Sequence, residues 1–259
     1  MERLKGKVAI VTGASAGIGR GIERTFAREG ADLTIAGRSA ATLEKVAEEI
    51  EALGGRVLSC VCDVAMQDDI TRTTKATIDH FGAIDVLVNN AHDLPSEIAH
   101  AFLETDDENI RHTFEGGVLS TVHFMTACYP HMEGRGGSII NLGSIAGVQG
   151  WATFLSYAIA KEGIRAATRV AAREWGPVGI RVNTICPRAW DWSERSIEWL
   201  HSLSEEAQQA LLDTVPLGHF GRAELDIGGV AAFLASDDAG FMTGQTLFPD
   251  GGISIDAGR

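Results

Sequence analysis

Seven short, mostly apolar runs recur along the chain: Val8–Val11, Asp32–Ala36, Arg56–Val61, Asp85–Asn89, Ser138–Leu142, Arg181–Ile185 and Gln245–Phe248. Most are continuous rather than alternating, the pattern of strands covered on both faces. Longer stretches with helical spacing lie between them: Ile18–Glu29, Ala40–Leu53, Asp68–Phe81, Asp106–His131, Thr153–Trp175 and Glu224–Ala235. This alternation predicts an α/β fold, a doubly wound parallel sheet of about seven strands with helices on both faces. No linker, repeat or charge block divides the chain, so residues 1–259 read as a single domain. The alternation lapses only at 188–217, which carries Trp190, Trp192, Trp199 and a helical pattern near Ser204–Asp213. An insertion after a strand end is expected to form a substrate lid.

Composition narrows the function more than the fold. With 22 basic and 35 acidic residues the formal charge is −13, which argues against nucleic acid and anionic membrane surfaces as partners. No apolar run reaches the roughly 20 residues of a membrane span. The charged start MERLKGK has no signal-peptide character, so a cytoplasmic protein is expected. Cys60, Cys62, Cys128 and Cys186 match no zinc spacing and read as buried thiols, and no metal is expected.

The candidate chemistry begins at VAIVTGASAGIGRG (8–21), a strand, a glycine turn and a helix start. Gly13, Gly17 and Gly19 let the backbone approach a pyrophosphate held at the helix N-terminus. The second strand ends in Gly37 and Arg38, where an acidic residue would bind the ribose hydroxyls of NAD. A guanidinium there favours the 2′-phosphate, hence NADP(H). Further along, SYAIAK (156–161) sets Tyr157 one helical turn ahead of Lys161.

Taken in order, TGASAGIG (12–19), CDV (62–64), NNA (89–91), Ser144, Tyr157-x-x-x-Lys161, VN (182–183) with Pro187, and DGG (250–252) resemble the short-chain dehydrogenase/reductase family over nearly the whole chain. The resemblance implies a Rossmann fold, nicotinamide chemistry and a homotetramer. It implies cofactor contacts from Gly13, Ser15, Gly17, Ile18, Gly19, Gly37, Arg38, Asp63, Val64, Asn89, Ala91, Tyr157, Lys161, Ile185 and Pro187. Ser144, Tyr157 and Lys161 would be catalytic. An ammonium about 4–5 Å from a phenol supplies roughly 3–4 kcal/mol at an effective dielectric near 20. Lys161 is therefore expected to pull Tyr157 down toward neutral pH, making it a usable proton donor and acceptor.

Three positions depart from the family pattern. Gly117, within FEGGVLS, stands where the family has a helix asparagine that helps relay protons to the lysine; two adjacent glycines there suggest a kink or a close approach. His92 replaces the glycine after NNA. PRAWDW (187–192) replaces Pro-Gly-x-x-x-Thr, leaving Trp192 in the place of a carboxamide-gripping hydroxyl and the backbone of Ile185 or Ala189 to substitute. His92, Trp151, Trp190, Trp192 and Trp199 are candidate substrate-pocket residues, and their aromatic character suggests an apolar, cyclic ketone or alcohol. An acidic acyl carrier fits this acidic chain less well. The competing readings are a nicotinamide-binding regulator without turnover and a reductase of imines.

Overall fold

The computed structural model describes residues 2–95, 99–191 and 194–255. Strands β1 (Val8–Thr12), β2 (Asp32–Gly37), β3 (Val57–Val61), β4 (Val86–Asn89), β5 (Gly137–Leu142), β6 (Ile180–Ile185) and β7 (Thr246–Leu247) form one sheet. All pairings are parallel, in the order 3-2-1-4-5-6-7. The helices are α1 (Gly17–Arg28), α2 (Ala40–Ala52), α3 (Gln67–Phe81), α4 (Asp107–Phe114), α5 (Ser120–Met132), α6 (Ile145–Gln149), α7 (Leu155–Trp175), α8 (Glu194–Ser202), α9 (Glu205–Leu212) and α10 (Gly228–Ala235). None of the described helices is long and apolar enough to cross a membrane.

The continuous apolar runs have a simple cause: neighbouring strand residues serve opposite cores. In β1, Ala9 and Val11 join one cluster and Ile10 the other; in β4, Val86 and Val88 divide from Leu87 in the same way. The first core is closed by Ile22 and Phe26 of α1, Val46 and Ile50 of α2, and Leu234 of α10. The second is closed by Ile70 of α3, Phe124 and Cys128 of α5, and Ala171 of α7. Burying each large side chain in these layers contributes about 1.5–3 kcal/mol. All four cysteines are free thiols, and three of them are buried.

The sheet winds outward in both directions from β1 and β4, which are hydrogen-bonded neighbours although two strands separate them in sequence. A crevice opens beyond the carboxyl ends of strands at such a reversal, the place where α/β folds bind ligands. Two predicted helices differ from expectation: 224–235 opens with a π-helical turn, Ala223–Ile227, and is α-helical only from Gly228. The stretch 106–131 is broken by a π-helical turn, Glu115–Leu119, between α4 and α5. The glycine pair Gly116–Gly117 sits in that turn and lets another segment press against it.

Candidate active site

β1 runs into Gly13, whose φ of 68° requires glycine, and the turn ends at Gly17 with φ of 53°. The first turn of α1 has no acidic residue and no side-chain cap at Ala16, so its N–H groups are free for an anion. Asn90 ties this turn to β4: its Nδ2 donates to the carbonyls of Thr12 (3.0 Å) and Gly13 (3.1 Å). The Thr12 hydroxyl in turn accepts from the backbone N–H of Asn90 and Ala91. A Cβ on either Gly13 or Gly19 would come within 2.7 Å of Asn90 Nδ2. The turn is thus held in a shape that fits a dinucleotide pyrophosphate. Asn90 belongs to the NNA motif, yet the motif alone does not reveal this bracing role.

The residues expected at the adenosine end lie along the carboxyl ends of β2 and β3. A Cβ at Gly37 would meet Ser15 Oγ at 2.7 Å, so the second strand packs directly on the glycine turn. The Arg38 side chain is largely exposed and donates to Asp93 Oδ1 at 2.8 Å. Asp63 closes its own turn, accepting from the Ala65 N–H, beside the buried Val64. Asn89, expected along the cofactor ribose, also reaches inward: its Nδ2 donates to Asn141 Oδ1 (2.9 Å) inside the sheet. Asn141 continues to Thr168, and Thr168 pairs with Thr184, so Asn89 belongs to a buried polar chain linking β4, β5, α7 and β6.

Ser144 follows β5 and caps α6, its Oγ accepting from the Ala146 N–H. Tyr157 sits in the first turn of α7, and Lys161 one turn later is 5% exposed. The Lys161 ammonium donates to the Leu142 carbonyl at 2.9 Å and lies 5.6 Å from the centre of the Tyr157 ring. Burial lowers the lysine to about 8. The expected depression of the phenol is not present: burial pushes Tyr157 above its ordinary value, with the Ser144 hydroxyl drawing it back. The reason is that Lys161 is itself desolvated and committed to Leu142, while protein crowds the tyrosine on every side but the cavity.

That cavity, of about 520 Å³, brings together Ser144, Tyr157, Lys161, Ile18, Asn90, His92, Trp151 and Pro187. Phe154, Arg188 and Ala189 complete much of the wall. Phe154 was legible in principle, since it precedes Tyr157 by three residues at the start of the same helix. The tryptophans of the insertion divide differently. Trp190 is buried and faces a second cavity of about 360 Å³ with Val215 and Leu217. Trp199 stacks on it, ring centres 6.3 Å apart at 7°, so these two hold the insertion together rather than line the catalytic cavity. Trp192 lies outside the described residues. Among the described residues no cluster of side chains could hold a metal ion.

Two of the departures prove to be one feature. A Cβ on Gly117 would meet the His92 imidazole, 2.7 Å from Cε1. His92 therefore occupies the space a side chain at 117 would need. Its Nε2–H donates to the Thr113 carbonyl (3.0 Å), since a carbonyl can only accept, and the ring stacks on Tyr157 at 5.7 Å and 16°. Burial first, then the nearby Lys161 charge, lowers His92 to about 3, so it is neutral and cannot serve as an acid near pH 7. The preceding contact is equally tight: a Cβ on Gly116 would lie 2.8 Å from Asp93 Cβ.

A sheet wound outward from its switch point, with serine, tyrosine and lysine converging beside an uncapped helix N-terminus, defines a nicotinamide-type oxidoreductase site. The chain belongs to the short-chain dehydrogenase/reductase family. The family profile described as enoyl-(acyl carrier protein) reductase matches residues 13–254. A 12alpha-hydroxysteroid dehydrogenase of a Clostridium species is 40% identical over 255 residues, covering 96% of each chain. A 3-oxoacyl-(acyl-carrier-protein) reductase of Thermotoga maritima is 34% identical, covering 98% of this chain and 100% of that one. Among solved structures, a 7 alpha-hydroxysteroid dehydrogenase complexed with NADH and 7-oxo glycochenodeoxycholic acid superposes with a TM-score of 0.87 at 32% identity, covering 97% of this chain and 95% of that one.

Proposed function

We propose that the protein interconverts a ketone or aldehyde and an alcohol, with NADP(H) as the hydride carrier and an apolar, cyclic substrate. The observation that carries this reading is the convergence of Ser144, Tyr157 and Lys161 on one cavity whose other walls include Trp151, Phe154 and Ile145. The two hydroxysteroid dehydrogenases among the relatives support a fused-ring substrate. Three further assignments belong to the same proposal: a homotetramer, a cytoplasmic location, and 188–217, with α8 and α9, as the lid.

A nicotinamide held by the glycine turn and Lys161 would supply the hydride in reduction and accept it in oxidation at the oxygen-bearing carbon. In reduction the Tyr157 hydroxyl donates its proton to the oxygen as negative charge develops there. The Ser144 hydroxyl donates a hydrogen bond to the same oxygen, and the Lys161 ammonium stabilises the phenolate left behind. Oxidation runs the same transfers in reverse. Because burial has already raised Tyr157, the neutral phenol is the resting form, which suits donation. The ammonium sets the upper limit: its charge is present below its pKa of about 8 and is lost above it. Reduction is expected to decline as pH rises through about 8, and a profile flat to pH 10 would remove Lys161 from this role.

The test of the function as a whole is NADPH consumption with a panel of cyclic and open-chain ketones. Turnover that favours fused-ring ketones is expected, and none with either NADPH or NADH across the panel would sink the reading.

Cofactor choice rests on Arg38. Its exposed pair with Asp93 is worth about 0–1 kcal/mol, so a 2′-phosphate accepting two charge-assisted bonds can displace it. Arg38→Ala should raise the KM for NADPH about tenfold or more while leaving that for NADH unchanged. A wild-type protein that prefers NADH would overturn the assignment.

A further inference from the structure

We infer that the substrate carries an anionic group, a carboxylate or sulfate, on its apolar skeleton, and that Arg188 is the anchor for it. The inference rests on the oxidoreductase reading and deepens it.

Arg188 stands where the family pattern has a glycine, directly after Pro187. Its guanidinium lies over the Trp190 ring at 4.6 Å and 5.7 Å from the centre of the Trp151 ring. Stacking on an indole uses the faces of a guanidinium and leaves the N–H donors, which point outward in its plane, free for another partner. Among the described residues that partner is missing. The buried Nε has no hydrogen bond, and no carboxylate among the described residues lies within ion-pair reach. Asp250 is close enough to favour the charged form, but its Oδ1 accepts from the Gly252 N–H and its buried Oδ2 makes no hydrogen bond, so it does not close on the guanidinium.

A guanidinium does not neutralise itself by losing a proton, so a charge held this way stays charged and half-desolvated. The chain has 35 acidic residues, yet the cavity wall carries Lys161 and Arg188 and no acidic side chain. Lys161 is committed to the Leu142 carbonyl. Arg188 is the cation left over, and it lines both the catalytic cavity and the adjoining one beneath the insertion. A ring system seated against Tyr157 would satisfy it with an acidic substituent turned to Arg188 on the catalytic-cavity side, since the adjoining cavity also carries Asp226 and Asp250, which would repel an anion. A cofactor pyrophosphate would be another anion for this wall to meet, and the two sources are separable by experiment.

The tryptophans flanking Arg188 make binding directly readable by fluorescence, without turnover. With NADP⁺ present, wild-type protein is titrated with dehydrocholic acid, a fused-ring keto acid, and with its methyl ester. The acid should bind at least tenfold tighter than the ester, with the gap narrowing at high salt. Arg188→Met should abolish the preference and leave NADP⁺ affinity within about twofold. Arg188→Lys, which keeps the charge but not the planar fork, should retain part of it. Equal binding of acid and ester by the wild type overturns the inference, and that comparison stands even if the variants fold poorly. An undiminished preference in Arg188→Met also overturns it, as does a loss confined to NADP⁺ affinity. If the preference is present but no ketone is turned over, the oxidoreductase reading fails while the anion site stands.

Discussion

Tyr157→Phe should lower turnover about a thousandfold while changing NADPH affinity by less than about twofold. The substitution removes one oxygen and leaves the ring, so its stack on His92 and its edge contact with Phe154 persist. What disappears is the hydroxyl that the proposed mechanism uses to hand a proton to the forming alkoxide. Positioned proton transfer contributes about 10²–10⁴ in rate. The Ser144 hydroxyl cannot inherit the task, because nothing beside it would stabilise an alkoxide as Lys161 stabilises a phenolate. Cofactor affinity is expected to survive because the glycine turn, Asn90 and Lys161 are all untouched. Steady-state turnover with a cyclic ketone and fluorescence titration of NADPH measure the two quantities separately. A variant within tenfold of the wild type would show that the phenol is not the proton carrier, and a parallel loss of cofactor binding would point to a structural role.

The sheet was legible because its strands are buried on both faces, so runs such as Val8–Val11 and Ser138–Leu142 are continuous and bounded by turn residues. Most long helices were legible from their 3.6-residue period, but α6 and α8 had no counterpart in it, and the period hid the π-helical turns beside the glycine pairs. Gly116 and Gly117 announce a disturbance in the helix after β4, but the period of the pattern runs on through them, and nothing local distinguishes a π-helical turn from a kink. The trio Ser144, Tyr157 and Lys161 was readable as spacing along a strand end and a helix face. Its electrostatics were not. The pairwise attraction between Lys161 and Tyr157 can be estimated from their separation, but the larger effect is desolvation, which depends on how many atoms of distant elements surround them. Asn89 shows the same limit: its partner, Asn141, is 52 positions away. Trp190 and Trp199 were grouped with the pocket because they are aromatic and close in sequence to Pro187, whereas their mutual stacking turns them away from it.

The least legible feature is also the one whose disruption should cost most after Tyr157. Gly117→Ala is expected to cut turnover about a hundredfold and lower the melting temperature, although it adds a single methyl group in a helical segment where alanine is intrinsically preferred. The methyl would occupy the His92 ring position, and that ring cannot simply retreat. Thr113 holds it through Nε2, Tyr157 covers one face, and Nδ1 is buried. Displacing it would shift the tyrosine hydroxyl, and a misplacement near 1 Å costs on the order of a hundredfold in rate. His92→Ala alone should cost less, about tenfold, because it removes a neutral wall without forcing anything into it. The decisive measurement is the double variant. If the two positions share one space, Gly117→Ala should cost almost nothing once His92 is alanine, a coupling that independent sites do not show. The pH profile separates positioning from chemistry: with His92 neutral down to about pH 3, its removal should lower the plateau without moving the fall above about pH 8. Additive losses in turnover, or a shifted profile in His92→Ala, would show that the imidazole does something other than hold the tyrosine in place.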